Sequence, residues 1–252
     1  MNVIVYGADR PQISFRQAPS GSIDFEFENE RVIYLDPNAG DIVGRQSDDL
    51  DVLWVDVYLS LLHRRDLTDL EDDPGSAWHG PYKEMLNELR ELLATDAERK
   101  FFDLYVEMCS EEYEDLRDAP ALIPQVWVNW IHYDPKSRER AERVQSEAFR
   151  VDFVLRTNET DGFVVIEIDG SSHFGGRSFI SDNGKLTFEA SMEAYTKHLR
   201  KDRWLRKQGW RVIRLSNAEV EEVNGIKQYR SLLADVLDSQ TLGTMRLKSS
   251  WF

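Results

Sequence analysis

Four apolar residues in a row, Phe163, Val164, Val165 and Ile166, run straight into Glu167 and Asp169, then into Gly170, Ser171, Ser172 and His173. The apolar run reads as a buried strand. Residues i and i+2 of a strand point to the same face, so two carboxylates leave the strand end side by side. Burying and crowding like charges is unfavourable unless a partner compensates them. The chain around this strand therefore has to supply that partner.

The neighbouring segments frame the strand. "RVDFVLRT" (150–157) is a second strand, and "NETDG" is a turn, so the two form a hairpin. "LIPQVWVNWIHYD" (122–134) alternates like a strand, and "SRERAERVQSEAF" (137–149) is a charged connector. Residues 82–116 are helical, with Thr95 or Asp96 as a cap and Glu98 at the capping-box distance from Thr95. "FISDNGKLTF" (179–188) reads as a small inserted hairpin. An amphipathic helix then ends at Gly209, "WRVIRLS" is a strand, and 218–239 is largely helix. The order is α-β-β-β-α-β.

The first ~60 residues differ: "VIVYG", "ISFRQ", "IDFEFE" and "RVIYLD" are short strand-like runs separated by turn residues. "DVLWVDVYLSLLHRR" (51–65) has helical spacing. "EDDPGSAWHGP" (71–81) is the candidate linker. Two parts are expected, an acidic β-rich region over 1–80 and an α/β domain over 81–252. Charge follows the same division. Residues 1–96 hold 8 basic and 20 acidic side chains, whereas 97–252 hold 23 and 26. The stretch 197–214 carries 8 basic residues against one acid, within a chain of net charge −15. A local patch of this kind binds nucleic acid in an acidic protein, or is a solvated helix face.

Other classes are poorly supported. No apolar run reaches the length of a membrane span, and the N-terminus has no basic region followed by a long apolar stretch. The cytoplasm is the expected compartment. The single Cys109 excludes a disulfide within the chain and a cysteine zinc site. Phosphate-loop, nucleophile-elbow and zinc-helix motifs are lacking.

The short hairpin lets Asp152 lie beside Glu167, which gives three acids at adjacent strand positions: Asp152, Glu167 and Asp169. A hard divalent cation removes the conflict among them. Beside a phosphodiester it activates a water and stabilises the leaving oxygen. The alternative is that Asp169 opens a turn and Glu167 pairs with an arginine.

The order of elements, with Asp152 and "EID" on consecutive strands, resembles the PD-(D/E)XK restriction-endonuclease-like nucleases. "RVDFVL", "VVIEIDGSSH" and "KHLRKDRWLRKQGWRVIRLS" are similar to the branch related to Vsr-type very-short-patch-repair endonucleases, over roughly 95–215. The resemblance implies a restriction-endonuclease-like αβββαβ core with a mixed central sheet. It implies Mg²⁺, with Mn²⁺ as substitute, held by Asp152, Glu167 and the carbonyl of Ile168. Glu98 matches a helix acid that reaches a second metal or orients water; its other reading is the capping box. Asp169 stands where many members carry a lysine, and His173 or a lysine of the next helix, Lys197 or Lys201, is left to take that part. His173 is a proton donor, a metal ligand or structural. Asp202 and Arg203 match a D-R pair, Asp202 orienting a site lysine or histidine. Arg200, Arg203 and Arg206 meet phosphates. Gln125 lies near the helix acid or is edge-strand polarity.

The expected function is metal-dependent hydrolysis of DNA, with RNA not excluded, in bacterial defence or repair. The alternative is a catalytically degenerate fold that binds nucleic acid or protein. A homodimer, and autoinhibition or docking of a protein partner through the acidic N-terminal region, are further expectations.

Overall fold

A computed structural model describes residues 3–6, 13–17, 23–27, 32–34, 52–62, 79–128, 149–156, 163–170, 175–181, 184 and 186–236. Strands β1 (Val3–Tyr6), β2 (Ile13–Gln17), β3 (Ile23–Phe27) and β4 (Val32–Tyr34) come first, followed by helix α1 (Trp54–Leu62). Helices α2 (His79–Glu91) and α3 (Asp96–Glu112) precede strands β5 (Ile123–Val128), β6 (Phe149–Arg156) and β7 (Phe163–Asp169). A hairpin of β8 (Gly175–Ile180) and β9 (Leu186–Ala190) leads into α4 (Met192–Lys207), then β10 (Arg211–Ser216), α5 (Asn217–Glu222) and α6 (Ile226–Val236). The expected α-β-β-β-α-β order is thus α3-β5-β6-β7-α4-β10, with the predicted hairpin between β7 and α4.

Local chemistry explains the element ends. Thr95 caps α3 by accepting from Glu98 N, and the Glu98 carboxylate accepts in return from Ala94 N at 3.0 Å and Thr95 Oγ1 at 2.9 Å. Four otherwise unpaired N–H groups begin every helix, and such caps satisfy some of them. Ser191 caps α4, and Gly209, at φ 80°, turns the chain out of it. Gly225, at φ 84°, splits the expected last helix into α5 and α6.

Six strands form one mixed sheet in the order β10-β7-β6-β5-β1-β4. β10 runs parallel to β7, and the other neighbours are antiparallel. β1 and β4, from the acidic first part of the chain, lie in the same sheet as the strands expected to form the second part. The pairs β2–β3 and β8–β9 stand outside it.

Helices cover the central strands on both faces. Phe101 of α3 meets Phe153 of β6 with ring centroids 5.5 Å apart, and Tyr229 of α6 at 5.2 Å. On the alternate face of the hairpin, Phe163 stacks on Trp210 at 4.7 Å, and Trp210 leads to Trp204 of α4 and on to Phe149. Six of the seven residues of β7 are buried, which is why its sequence is continuously apolar until the acids begin.

Candidate functional site

The registers draw a polar row across the sheet. Pro124 pairs with Phe153 and Val126 with Val151, so Gln125 stands opposite Asp152. Phe153 pairs with Ile166, and one step further Asp152 stands opposite Glu167. Glu167 pairs with Arg214. Four neighbouring strands therefore contribute Gln125, Asp152, Glu167 and Arg214 to one line. Helix α4, packed over the same face as Glu167, adds Lys201 and Asp202.

Each acid in the row has a donor. Glu167 is fully buried, and its Oε1 lies 2.5 Å from Lys201 Nζ. That contact is an ion pair, and Oε2 has no hydrogen-bond partner among the described residues. Burial pushes the Glu167 carboxyl up to about 7; Lys201 opposes the rise and Asp152 adds to it. Lys201 also donates to the Arg150 carbonyl at 2.6 Å. Asp152 Oδ2 accepts from Ile168 N at 2.8 Å.

Arg214 holds the other end. Its Nη1 donates to both oxygens of Asp169 at 2.7 Å. Its Nε and Nη2 reach Asp202 at 3.3 and 3.1 Å, and Nη2 lies 3.4 Å from His198 Nδ1. Burial disfavours the charge of Arg214, but the bonds to Asp169 outweigh it and raise its pKa. Lys201 and Arg214 are thus the compensating partners that the paired carboxylates of β7 require.

The predicted residues sort into an inner and an outer group. Asp152, Glu167, Asp169, Lys201 and Asp202 are brought together. Asp169 forms an ion pair with Arg214, so it joins a cation and not a third carboxylate. Asp202 orients Arg214, not a lysine. Glu98 and Gln125 meet separately: Gln125 Nε2 donates to Glu98 Oε2 at 2.9 Å, both side chains buried. Gln125 has φ 53°, which interrupts the strand alternation and sends its amide to α3. Lys197, Arg200, Arg203 and Arg206 remain exposed on α4. His173 lies outside the described residues. Arg214 was missed; its signal was a second arginine, three residues after Arg211, on the strand that follows the basic helix.

These residues do not fit a hard divalent cation as they stand. Asp152 accepts a backbone N–H, Glu167 faces an ammonium and Asp169 a guanidinium. Among the described residues no three His, Cys, Asp or Glu side chains converge as a metal site. Nor is any described helix long and apolar enough to cross a membrane.

Comparison with protein families gives one match, the RAP domain, over residues 166–236. No curated protein and no solved structure matches the chain. The matched segment holds most of the motifs behind the resemblance to PD-(D/E)XK and Vsr-related endonucleases: Glu167, Asp169, His173 and the basic helix. That resemblance is overturned, because those motifs belong to a match with a different family. The restriction-endonuclease-like designation of the core loses the support of that resemblance; what the structure shows is a mixed α/β fold. The short acidic and basic motifs misled because a buried strand crossed by ion pairs produces the same spacing as a metal site.

Proposed function

We propose that this chain is a nucleic-acid-binding module that prefers RNA and engages it through the outward face of α4. The observation that carries the reading is the set of exposed bases Lys197, Arg200, Arg203 and Arg206 inside the segment that matches the RAP domain, a family of RNA-binding domains. None of these four side chains makes an ion pair or hydrogen bond among the described residues. Unpaired guanidinium and ammonium groups on one helix neutralise successive phosphates and release counterions.

The polar row then has a positioning task. Lys201–Glu167 and Asp202–Arg214 tie α4 to β7 and β10, and Trp204 packs against Phe149 and Trp210. A helix fixed at three points presents its basic face without paying to order it on binding.

Fluorescence anisotropy with labelled RNA and DNA of the same sequence tests the reading. Wild type is expected to favour RNA. Arg203→Ala with Arg206→Ala should weaken binding about tenfold at low salt and flatten its salt dependence. Unchanged affinity in that variant would remove the proposed face. The rival, Mg²⁺-dependent hydrolysis of DNA, is read in the same tubes on a gel. Cleavage that requires Mg²⁺ or Mn²⁺, stops in EDTA and is lost in Asp152→Asn would favour catalysis over binding alone.

A further inference from the structure

Two basic residues of α4, Arg203 and Arg206, share their face with apolar ones, and Arg200 flanks it. Met192, Tyr195, Leu199, Arg203 and Arg206 recur at intervals of three or four, so they line one side of the helix. Phe179 and Ile180 sit near the tip of the hairpin that packs against α4 through β8. All the exposed large hydrophobics among the described residues fall on these two elements: Phe179 at 49%, Ile180 at 74%, Met192 at 77%, Tyr195 at 45% and Leu199 at 39%. Single exposed apolar residues are ordinary, but a group confined to one hairpin and the helix it leads into marks an interaction surface.

We infer that this surface binds single-stranded RNA, with bases stacked on Tyr195 and Phe179 and phosphates on Arg200, Arg203 and Arg206. The inference rests on the binding function proposed above and names the form of nucleic acid recognised. Charge complementarity selects the occupant. Arginines beside aromatics also occur at protein interfaces, but these lie within the segment that matches the RAP domain, and a nucleic-acid strand presents phosphates beside base faces. A duplex offers phosphates, 2′-hydroxyls and base edges but no open base faces, because its bases are stacked internally. A surface for duplex RNA therefore has no use for exposed Tyr195, Phe179 and Leu199. Single strands offer both, and aromatic platforms next to a basic track are the sequence-tolerant means of holding them. In β8 and α4 the platforms precede the arginines along the chain, so one strand can meet apolar and basic parts in succession.

The test measures full-length protein against a labelled single-stranded RNA, the same RNA annealed to its complement, and a single-stranded DNA. Expected is tighter binding to the single strand than to the duplex. Tyr195→Ala and Phe179→Ala should each weaken single-strand binding about 5- to 150-fold, the range for losing one base–aromatic stack, and leave duplex binding unchanged. Their salt dependence should match wild type, because no charge is removed, whereas Arg203→Ala should lower it. Both aromatic side chains are exposed, and circular dichroism checks that the variants remain folded. Equal affinity for single strand and duplex, or intact single-strand binding in both aromatic variants, would overturn the inference while leaving binding by the basic face in place. If no nucleic acid binds, both readings fall together. A monomer–dimer equilibrium abolished by Tyr195→Ala, with RNA affinity unaltered, would assign the surface to a second copy of the chain and also overturn it.

Discussion

At the scale of single residues, Glu167 and Lys201 decide most of what the interior tolerates. A buried carboxylate gains little from an ion pair in net stability, but removing one partner strands the other. Lys201→Met is therefore expected to cost about 3 kcal/mol at pH 8, measured by urea unfolding. The cost should shrink at pH 5, where Glu167 can protonate. A cost equal at both pH values would show that the pair is not charged in the folded protein. Glu167 also sets a pH dependence of its own. Its folded pKa, about 7, lies above its ordinary value of 4.5. The folded state then binds the proton more tightly than the unfolded chain, so the stability it contributes is full below about pH 4.5 and lost as pH rises through about 7. The swing is about 3 kcal/mol. Glu167→Gln should remove it, so the difference in unfolding free energy between wild type and variant should change by that amount between pH 4.5 and 8. A constant difference would contradict the burial argument.

At the scale of elements, β5 combines a favourable sequence with an unfavourable conformation. Gln125 adopts a left-handed backbone that non-glycine residues avoid, at a cost of about 1–3 kcal/mol. What offsets it is the bond to Glu98, which joins β5 to the cap of α3. Gln125→Gly relieves the strain and loses the bond; Gln125→Ala keeps the strain and loses the bond. Both should destabilise, and the alanine variant should melt lower, by about 1 kcal/mol of stability. The reverse order would mean that the backbone there is unstrained. This residue also marks where sequence reasoning stops. The strand, the helix cap at Thr95, the exit at Gly209 and the inserted hairpin were legible because local chemistry dictates them. The left-handed turn at Gln125 was not, since glutamine carries no preference for it and only the position of Glu98 calls for it. Arg214 was hidden for a related reason. Its meeting with Asp169 depends on the parallel register of β10 on β7, which is set by a crossover through α4 and not by neighbouring residues. The outward arginines were legible as a charge run, but their task was assigned to the wrong family, because acids and bases at these spacings suit an ion-paired sheet as well as a metal site.

At the scale of the whole molecule, the charge boundary near residue 80 does not coincide with a boundary in packing. Val52, Trp54, Val57 and Tyr58 are buried in the same apolar cluster as α3 and the central strands. Trp54 meets Phe102 edge-on at 5.9 Å. The backbone is joined as well: Ala121 N donates to Val52 O at 2.7 Å and Trp54 N to Ala119 O at 3.1 Å. Burial of an apolar side chain is worth about 1.5–3 kcal/mol, so these four together approach the whole stability of an ordinary domain, about 5–15 kcal/mol. Removing residues 1–78 is thus expected to abolish cooperative unfolding. A fragment starting at Asp51 separates the two contributions of the N-terminal part. It keeps α1 and loses β1 and β4, so it should still unfold cooperatively. It also leaves β5 as an open sheet edge, and unpaired edges recruit other chains. Its expected signature is a sharp melt with concentration-dependent aggregation, seen by light scattering, against a full-length chain that stays dispersed. If the fragment from residue 79 melts as sharply and as high as the full chain, the buried residues of α1 do not belong to the core on which the basic helix is mounted.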